Sequence, residues 1–162
     1  MAPTKHSRDD FAPFDTQRTL PIALLRAREA VMDRFRPMLR GIDVTEQQWR
    51  VLRVVQEEGE IDATHLARAA SVLAPTLTRI LKTLESRDLI TLRTDTTDRR
   101  RTQVSISTTG QTVLRDAGQI SAQIHTEIEA RLGAERIADL VQALEKAADD
   151  LNENNADETD VE

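Results

Sequence analysis

The sequence predicts a mainly α-helical fold with one small β hairpin, and three observations support this. Apolar residues recur at three- and four-residue steps over most of the chain, the spacing of amphipathic helices. Two short helical segments, residues 62–70 and 75–85, are separated by a break of only four residues. Two extended runs, residues 89–93 and 102–107, then enclose a polar loop with three consecutive arginines, a pattern typical of a hairpin.

The order of helix, turn, helix and basic hairpin predicts a winged helix-turn-helix that reads DNA. In this arrangement the second helix enters the major groove, and its first turns present short polar side chains to the base edges. Hydroxyl and guanidinium groups suit this role, and a proline can touch a thymine methyl group. An ordinary amphipathic helix beginning with proline is the competing interpretation. The candidate DNA-binding residues of this helix are Pro75, Thr76, Thr78, Arg79 and Lys82.

The loop between the two extended runs provides the second group of candidate DNA-binding residues. Arginines at a hairpin tip suit a narrow minor groove, whose negative potential attracts guanidinium groups. A solvated run of charge is the usual alternative, but the position directly after a helix-turn-helix favours DNA contact. Asp98 is expected to orient Arg100. The candidates are Asp98, Arg99, Arg100 and Arg101.

Helices are expected on both sides of this module. The first begins near Leu20 and Pro21, and Pro37 predicts a kink or a break within it. The next begins at Thr45, where Gln48 completes a capping box, and stops at Gly59. A long helix follows the hairpin from residue 108 to about 132, and a last helix extends from about 134 to 151.

The apolar stripes of the first and last helices predict a homodimer, because the module between them is too small to cover both. The chain therefore divides into five segments. We expect a mobile arm over residues 1–17, dimerisation helices over 18–44 and 108–151, a DNA-binding lobe over 45–107, and a disordered acidic tail over 152–162.

The distribution of charge favours the same organisation. The 162 residues carry a formal net charge of −6, which by itself argues against nucleic acid. Residues 74–103, however, hold seven Lys or Arg against four acids, a net charge of +3, and residues 145–162 carry −7. Because salt screens exposed charges beyond about 8 Å, the local balance governs phosphate contact.

Composition and spacing give no sign of an enzyme. The chain has no cysteine, and its three histidines lack partners at metal-ligand spacing. It has no phosphate-binding glycine loop and no nucleophile motif. We therefore expect no catalytic residues, no metal and no cofactor. No membrane span or signal peptide is recognisable, so a cytoplasmic location is expected.

A small-molecule site is predicted around the single tryptophan. Trp49 and Met32 are candidate apolar walls, and Arg28, with help from Arg50, is the candidate receptor for a ligand carboxylate. Simple core packing of Trp49 and exposed arginines with packed stems form the alternative interpretation.

These motifs resemble the MarR family of bacterial transcription regulators over about residues 18–151. The resemblance rests on Thr45-Glu-Gln-Gln-Trp-Arg50, on Asp95-x-x-Asp-Arg-Arg100 and on Val104-x-Ile-x-Thr108-x-Gly110. The segments 23–30 and 35–37 are similar to the branch that represses homoprotocatechuate degradation. The wing departs from the family pattern at Thr96 and Thr97, where Pro-Arg is usual.

The resemblance implies a triangular homodimer that binds palindromic operators and releases them when an aromatic acid enters a cleft beside the dimer helices. In this pattern the wing aspartate, here Asp98, orients the arginine two residues later, here Arg100. The sequence-based hypothesis is thus a repressor released by a small aromatic acid and controlling an aromatic-catabolism operon. The alternative is a winged-helix protein-interaction module without base-specific DNA binding.

Overall fold

The computed structural model describes residues 19–94, 96, 98 and 101–156, with side chains up to residue 152. Over this part the chain forms six helices and three strands, which confirms the mainly α winged helix-turn-helix. In chain order they are α1 (Leu20–Gly41), α2 (Glu46–Glu58), β1 (Ile61–Asp62), α3 (Ala63–Ala69), α4 (Ala74–Ser86), β2 (Ile90–Thr94), β3 (Thr102–Ile106), α5 (Thr108–Leu132) and α6 (Ala134–Ala156).

Helix α1 is continuous through Pro37, so of the two predicted outcomes, a kink or a break, the break does not occur. A proline inside a helix removes one hydrogen bond and costs about 3 kcal/mol. Phe35, Met38 and Leu39 surround Pro37 in sequence, and all three are buried. Burial of these side chains offsets that cost and keeps the last turns helical up to Gly41.

The ends of the next helices are set by local hydrogen bonds, as the sequence predicts. Thr45 and Gln48 form the capping box of α2, with Gln48 N donating to Thr45 Oγ1 and Thr45 N donating to Gln48 Oε1. Asp62 caps α3 by accepting from the backbone N–H groups of Thr64 and His65. Gly59 ends α2 with φ of 79°, a left-handed conformation that glycine adopts without strain.

The three strands form an antiparallel sheet in the order β1-β3-β2. Ile90 lies opposite Ile106 and Thr94 opposite Thr102, so β2 and β3 form the predicted hairpin. The two-residue strand β1 pairs Ile61 with Val104 and was not predicted. It joins the start of the helix-turn-helix to the base of the wing.

Helices α5 and α6 are separated at Gly133, as predicted. The last helix extends to Ala156, however, so the predicted disordered tail is wrong for residues 152–156, which are helical. Residues 157–162 of that tail lie outside the described residues. The predicted arm, residues 1–17, lies wholly outside them too, since the described chain starts at Thr19.

The buried side chains form two clusters. The larger, the lobe core, is built from α2, α3, α4, the sheet and the start of α5, so the first turns of α5 pack with the DNA-binding lobe. Leu52, Leu66 and Leu84 are fully buried in it. The smaller, the α1–α5 cluster, consists of Phe35, Met38, Leu39, Ala117 and Ile124. The partly buried Ile42 and Trp49 pack against both clusters and connect them.

Large apolar side chains remain exposed on α1, α5 and α6, and we call this set the apolar stripe. The stripe consists of Leu20, Leu24, Leu25, Val31, Ile120, Leu132, Leu140, Val141, Leu144 and Leu151.

None of the helices in the described part of the chain is long and apolar enough to cross a membrane.

Candidate nucleic-acid interface

Helix α4 has one apolar face and one exposed polar face. Its apolar face is anchored in the lobe core, as the sequence predicts for Ile80, Leu81 and Leu84, and Leu77 is buried with them. The opposite face is exposed to solvent. The buried apolar face fixes α4 in the lobe, and its exposed polar face is accessible to a ligand.

The predicted DNA-binding residues of α4 are all outside the lobe core. Pro75 occupies the first turn and is exposed, Thr76 is partly exposed, and Thr78, Arg79 and Lys82 are exposed. Thr78 Oγ1 donates to the carbonyl of Ala74 at 3.1 Å, which leaves its oxygen lone pairs available as acceptors. Within the described part of the chain, Arg79 and Lys82 form no ion pair, so their charges face solvent.

The base of the wing is tied to the strand before α3. Arg93 on β2 pairs with Glu60 at 2.7 Å, and Arg101 Nε lies 4.0 Å from Asp62 Oδ2. Arg101 N also donates to the carbonyl of Asp98 at 2.9 Å, which closes a turn at the wing. The predicted DNA-binding residue Arg101 is thus beside the cap of α3, whereas Arg99 and Arg100 lie outside the described residues.

Asp62 is held ionised by its surroundings. Partial burial raises the pKa of its carboxyl group, but the backbone N–H groups of Thr64 and His65 and the Arg101 guanidinium outweigh that effect and lower it. Its carboxylate therefore serves two elements at once, as the cap of α3 and as a partner of the wing arginine.

The predicted effector residues surround the junction of α1 and α2. Met32 and Trp49 are partly buried, and both pack against the α1–α5 cluster. Arg50 is exposed on α2. A cleft of about 510 Å³ opens nearby, between the end of α1, the start of α2 and Arg87, and Arg36 and Glu46 contribute to its walls; Met32 and Trp49 do not line it.

Arg28 belongs to an ion-pair network that joins α1 to α2, which we call the α1–α2 network. It contacts Glu29 at 2.6 Å and also Glu46 of α2. Arg36 contacts the same two carboxylates, Glu29 at 2.6 Å and Glu46 at 2.9 Å, together with Asp33. The hydrogen bond from Arg36 lowers the pKa of Glu29, and the two glutamates raise the pKa of Arg36.

The sequence predicted Arg28 as a receptor for a ligand carboxylate, which stays a prediction, and did not reveal that Glu29, Arg36 and Glu46 join it in one network. The pairing of Glu29 with Arg36 could have been predicted, because residues seven apart lie two turns along the same face of a helix. Glu29 and Arg36 have that spacing. Glu46 could not be found in this way, since its approach depends on the angle between α1 and α2.

Comparison with known proteins identifies the family. Residues 44–102 match the MarR family. The homoprotocatechuate degradative operon repressor of Escherichia coli is 37% identical over 128 residues, which cover 79% of this chain and 86% of that protein. This chain belongs to the MarR family. It is a transcriptional regulator with a DNA-binding winged helix-turn-helix, as the motifs around Trp49, the wing and Gly110 indicated.

Two further relatives extend this result. The HTH-type transcriptional regulator FarR of Neisseria gonorrhoeae is 36% identical over 137 residues, covering 83% of this chain and 94% of that protein. The crystal structure of NadR in complex with 4-hydroxyphenylacetate is similar with a TM-score of 0.72 and 32% identity, covering 91% of this chain and 97% of that one. FarR and the E. coli repressor are both regulators of transcription, the function that membership of the MarR family assigns to this chain.

Proposed function

We propose that this MarR-family regulator is a homodimeric repressor that binds a palindromic operator and releases it when a small aromatic carboxylic acid binds. The observation that carries the proposal is the exposed polar face of α4, mounted on a fully buried apolar face. A helix fixed in this way can present Thr76, Thr78 and Arg79 to base edges without losing its own packing. Such a regulator acts in the bacterial cytoplasm, where the chromosome lies.

The second part of the proposal is the homodimer. The apolar stripe on α1, α5 and α6 has no cover within the described part of the chain, and an exposed apolar surface of this kind marks a protein contact. Pairing of two copies through these helices would place two α4 helices on one face of the dimer. Two copies related by a twofold axis match the symmetry of a palindrome, with half-sites about one helical turn apart.

The third part of the proposal is the effector. NadR was crystallised in complex with 4-hydroxyphenylacetate, and the E. coli relative is named for homoprotocatechuate degradation. We propose an aromatic acid of this class here, with its ring against Trp49 and Met32 and its carboxylate at Arg28, with help from Arg50. Arg28 already contacts Glu46, so a ligand carboxylate would compete with Glu46 for the guanidinium.

That competition offers a route from the ligand to the DNA-binding lobe. Glu46 lies in the first turn of α2, and Trp49 on the same helix packs against both clusters. Arg36 would still join Glu29 to Glu46, so the bound ligand itself, held between Arg28 and α2, would set α2 and the lobe at a different angle to the dimer helices. A ligand releases DNA only if it favours the dimer in which the two α4 helices no longer match successive major grooves.

Selection from a random DNA duplex library tests the DNA part of the proposal. The full-length protein is expected to enrich a palindrome, and the enriched duplex then serves as the operator in gel-shift titrations. Arg100→Ala is expected to weaken binding by about 1–3 kcal/mol, whereas Arg53→Ala, an exposed arginine of α2, is the matched control. Failure to enrich any sequence would favour the protein-interaction module instead.

Release by ligand is tested with the same operator. 4-Hydroxyphenylacetate and related aromatic acids are expected to weaken operator binding and quench Trp49 fluorescence, whereas the corresponding amides should do neither. Arg28→Ala should bind the operator but lose the response to acid, and Arg26→Ala, an exposed arginine of the same helix, should keep it. An Arg28→Ala protein that responds like the parent would exclude Arg28 as the receptor.

A further inference from the structure

One apolar side chain on the lobe has no role in the fold. Leu73 is 78% exposed, more than any other large apolar side chain among the described residues. The other exposed ones all lie on α1, α5 and α6, in the apolar stripe. Leu73 alone stands on the DNA-binding lobe, directly before the first residue of α4.

Leucine is an unfavourable choice at this position. Leu73 is the N-cap residue of α4, where Ser, Thr, Asp or Asn would accept a hydrogen bond from a free backbone N–H group. Leu73 provides no such side-chain bond. Its neighbours already supply the packing, since Val72 and Leu77 are both buried in the lobe core. Leu73 contributes only its backbone carbonyl, which accepts from Leu77 N at 2.9 Å.

The surroundings of Leu73 identify its partner. It continues the exposed face of α4 at the end where Pro75 and Thr76 lie, with Arg79 one turn further on. In the major groove the base edges offer hydrogen-bond donors and acceptors, together with one apolar group, the 5-methyl of thymine. An exposed leucine at the leading end of a recognition helix matches that group.

We infer that Leu73 is a specificity-determining residue that packs against the 5-methyl group of a thymine in each operator half-site. This inference rests on the proposed function, because it requires α4 to enter the major groove. Thr76 and Arg79 would read polar base edges, and Leu73 would add an apolar contact at one base pair. Sequence reasoning had assigned a thymine contact to Pro75 and did not single out Leu73.

The test combines one change in the protein with one change in the DNA. Each thymine of the enriched operator is replaced in turn by uracil, which removes the methyl group and keeps the pairing edge. Leu73→Ser removes the apolar side chain and supplies a favourable N-cap, so the variant should be at least as stable as the parent. Leu73→Asn is a second variant of the same kind, and Leu73→Met is the control that keeps an apolar side chain.

One thymine in each half-site is expected to be sensitive for the parent protein. Burying one methyl group changes affinity about fourfold, so changing both half-sites should cost roughly fifteenfold. Leu73→Met should retain this sensitivity. Leu73→Ser and Leu73→Asn should bind the uracil and thymine operators equally and should no longer enrich thymine at that position in a repeated selection.

Two results would overturn the inference while leaving the proposed function intact. In one, the parent binds its operator but no thymine-to-uracil change weakens binding. In the other, such a change weakens the parent and Leu73→Ser by the same factor, which would assign the methyl contact to another residue such as Pro75. A parent that enriches no sequence would instead refute the proposed function, and the inference with it.

Discussion

The DNA-binding lobe covers its apolar side chains within one chain, whereas the terminal helices leave an apolar stripe exposed. Leu52, Leu66 and Leu84 in the lobe are fully buried, and helices, sheet and capping residues enclose them on all sides. On α6, Leu140, Val141 and Leu144 are 46–49% exposed although they repeat with helical spacing. The same residue types are thus buried in one region and uncovered in the other.

This difference separates two kinds of stability. The lobe is stabilised by contacts within one chain, so its unfolding should be insensitive to protein concentration. The apolar stripe on the terminal helices is uncovered within the described part of the chain, and we expect a second copy to bury it, so the order of these helices should depend on association. Ile42 and Trp49 pack against both clusters, so they connect the lobe to the terminal helices.

The largest expected effect comes from placing charge in the apolar stripe. Leu140→Asp with Leu144→Asp should weaken dimerisation by roughly 4 kcal/mol or more, since each buried leucine contributes about 1.5–3 kcal/mol and the change occurs in both subunits. Sedimentation equilibrium measures the loss. Gln142→Asp with Lys146→Gln alters the net charge equally on the opposite face and should leave the dimer intact; a dimer that survives both double variants would refute the assignment of the stripe.

Within the lobe, Leu73, directly before α4, and Leu84, near the end of α4, allow a comparison of an exposed leucine with a buried one. Leu84→Ala should cost about 2–5 kcal/mol of unfolding free energy because it leaves a cavity in a fully buried site. Leu73→Ala, at 78% exposure, should stay within about 0.5 kcal/mol of the parent. Urea unfolding at several protein concentrations checks both, and comparable losses for the two would contradict the boundary of the lobe core.

Two glycines of α5 should respond with opposite signs. A Cβ on Gly110 would stand 2.0 Å from the backbone oxygen of Leu89, so Gly110→Ala should destabilise the lobe by about 1–3 kcal/mol. Gly118 has nothing within 4 Å of that position, and alanine there should stabilise the helix by up to about 1 kcal/mol. Thermal unfolding measures both, and destabilisation by Gly118→Ala would show that the partner subunit packs closely at that point.

The smallest effect concerns pH and the α1–α2 network. Arg36 lowers the pKa of Glu29 in the folded protein, so the stabilisation is present above the ordinary glutamate pKa of about 4.3 and is lost as pH falls through the lower folded value. Glu29→Gln should therefore flatten the acid side of the stability–pH curve measured by urea unfolding. The same acid-side slope in parent and Glu29→Gln would remove Glu29 from the acid response.

Local sequence signals predicted most of the fold. The capping box of Thr45 and Gln48, the cap at Asp62 and the helix break at Gly133 each depend on residues within four positions of one another. The apolar face of α4 followed from helical spacing alone. Such features are determined by short-range sterics and hydrogen bonds, so they can be predicted without knowledge of the tertiary structure.

The features that were missed depend on distant partners. Strand β1 has only two residues and exists because Ile61 pairs with Val104, more than forty positions away. Pro37 predicts a kink or a break by its own chemistry, but the buried residues on either side keep α1 continuous. For the same reason the pairing of Arg28 with Glu46 could not be foreseen, although both residues are conspicuous in the sequence.

The sequence by itself therefore determined the six helices, the hairpin, most of their ends, the apolar face of α4 and the membership of a regulator family. Only the tertiary structure decided that Arg28 faces Glu46, that Arg101 stands beside Asp62, and that Leu73 is left uncovered on the lobe. The physical reason is the distance along the chain between interacting residues. Local spacing determines which residues share a face of a helix, whereas the packing angle between two helices determines which residues of the other helix that face contacts.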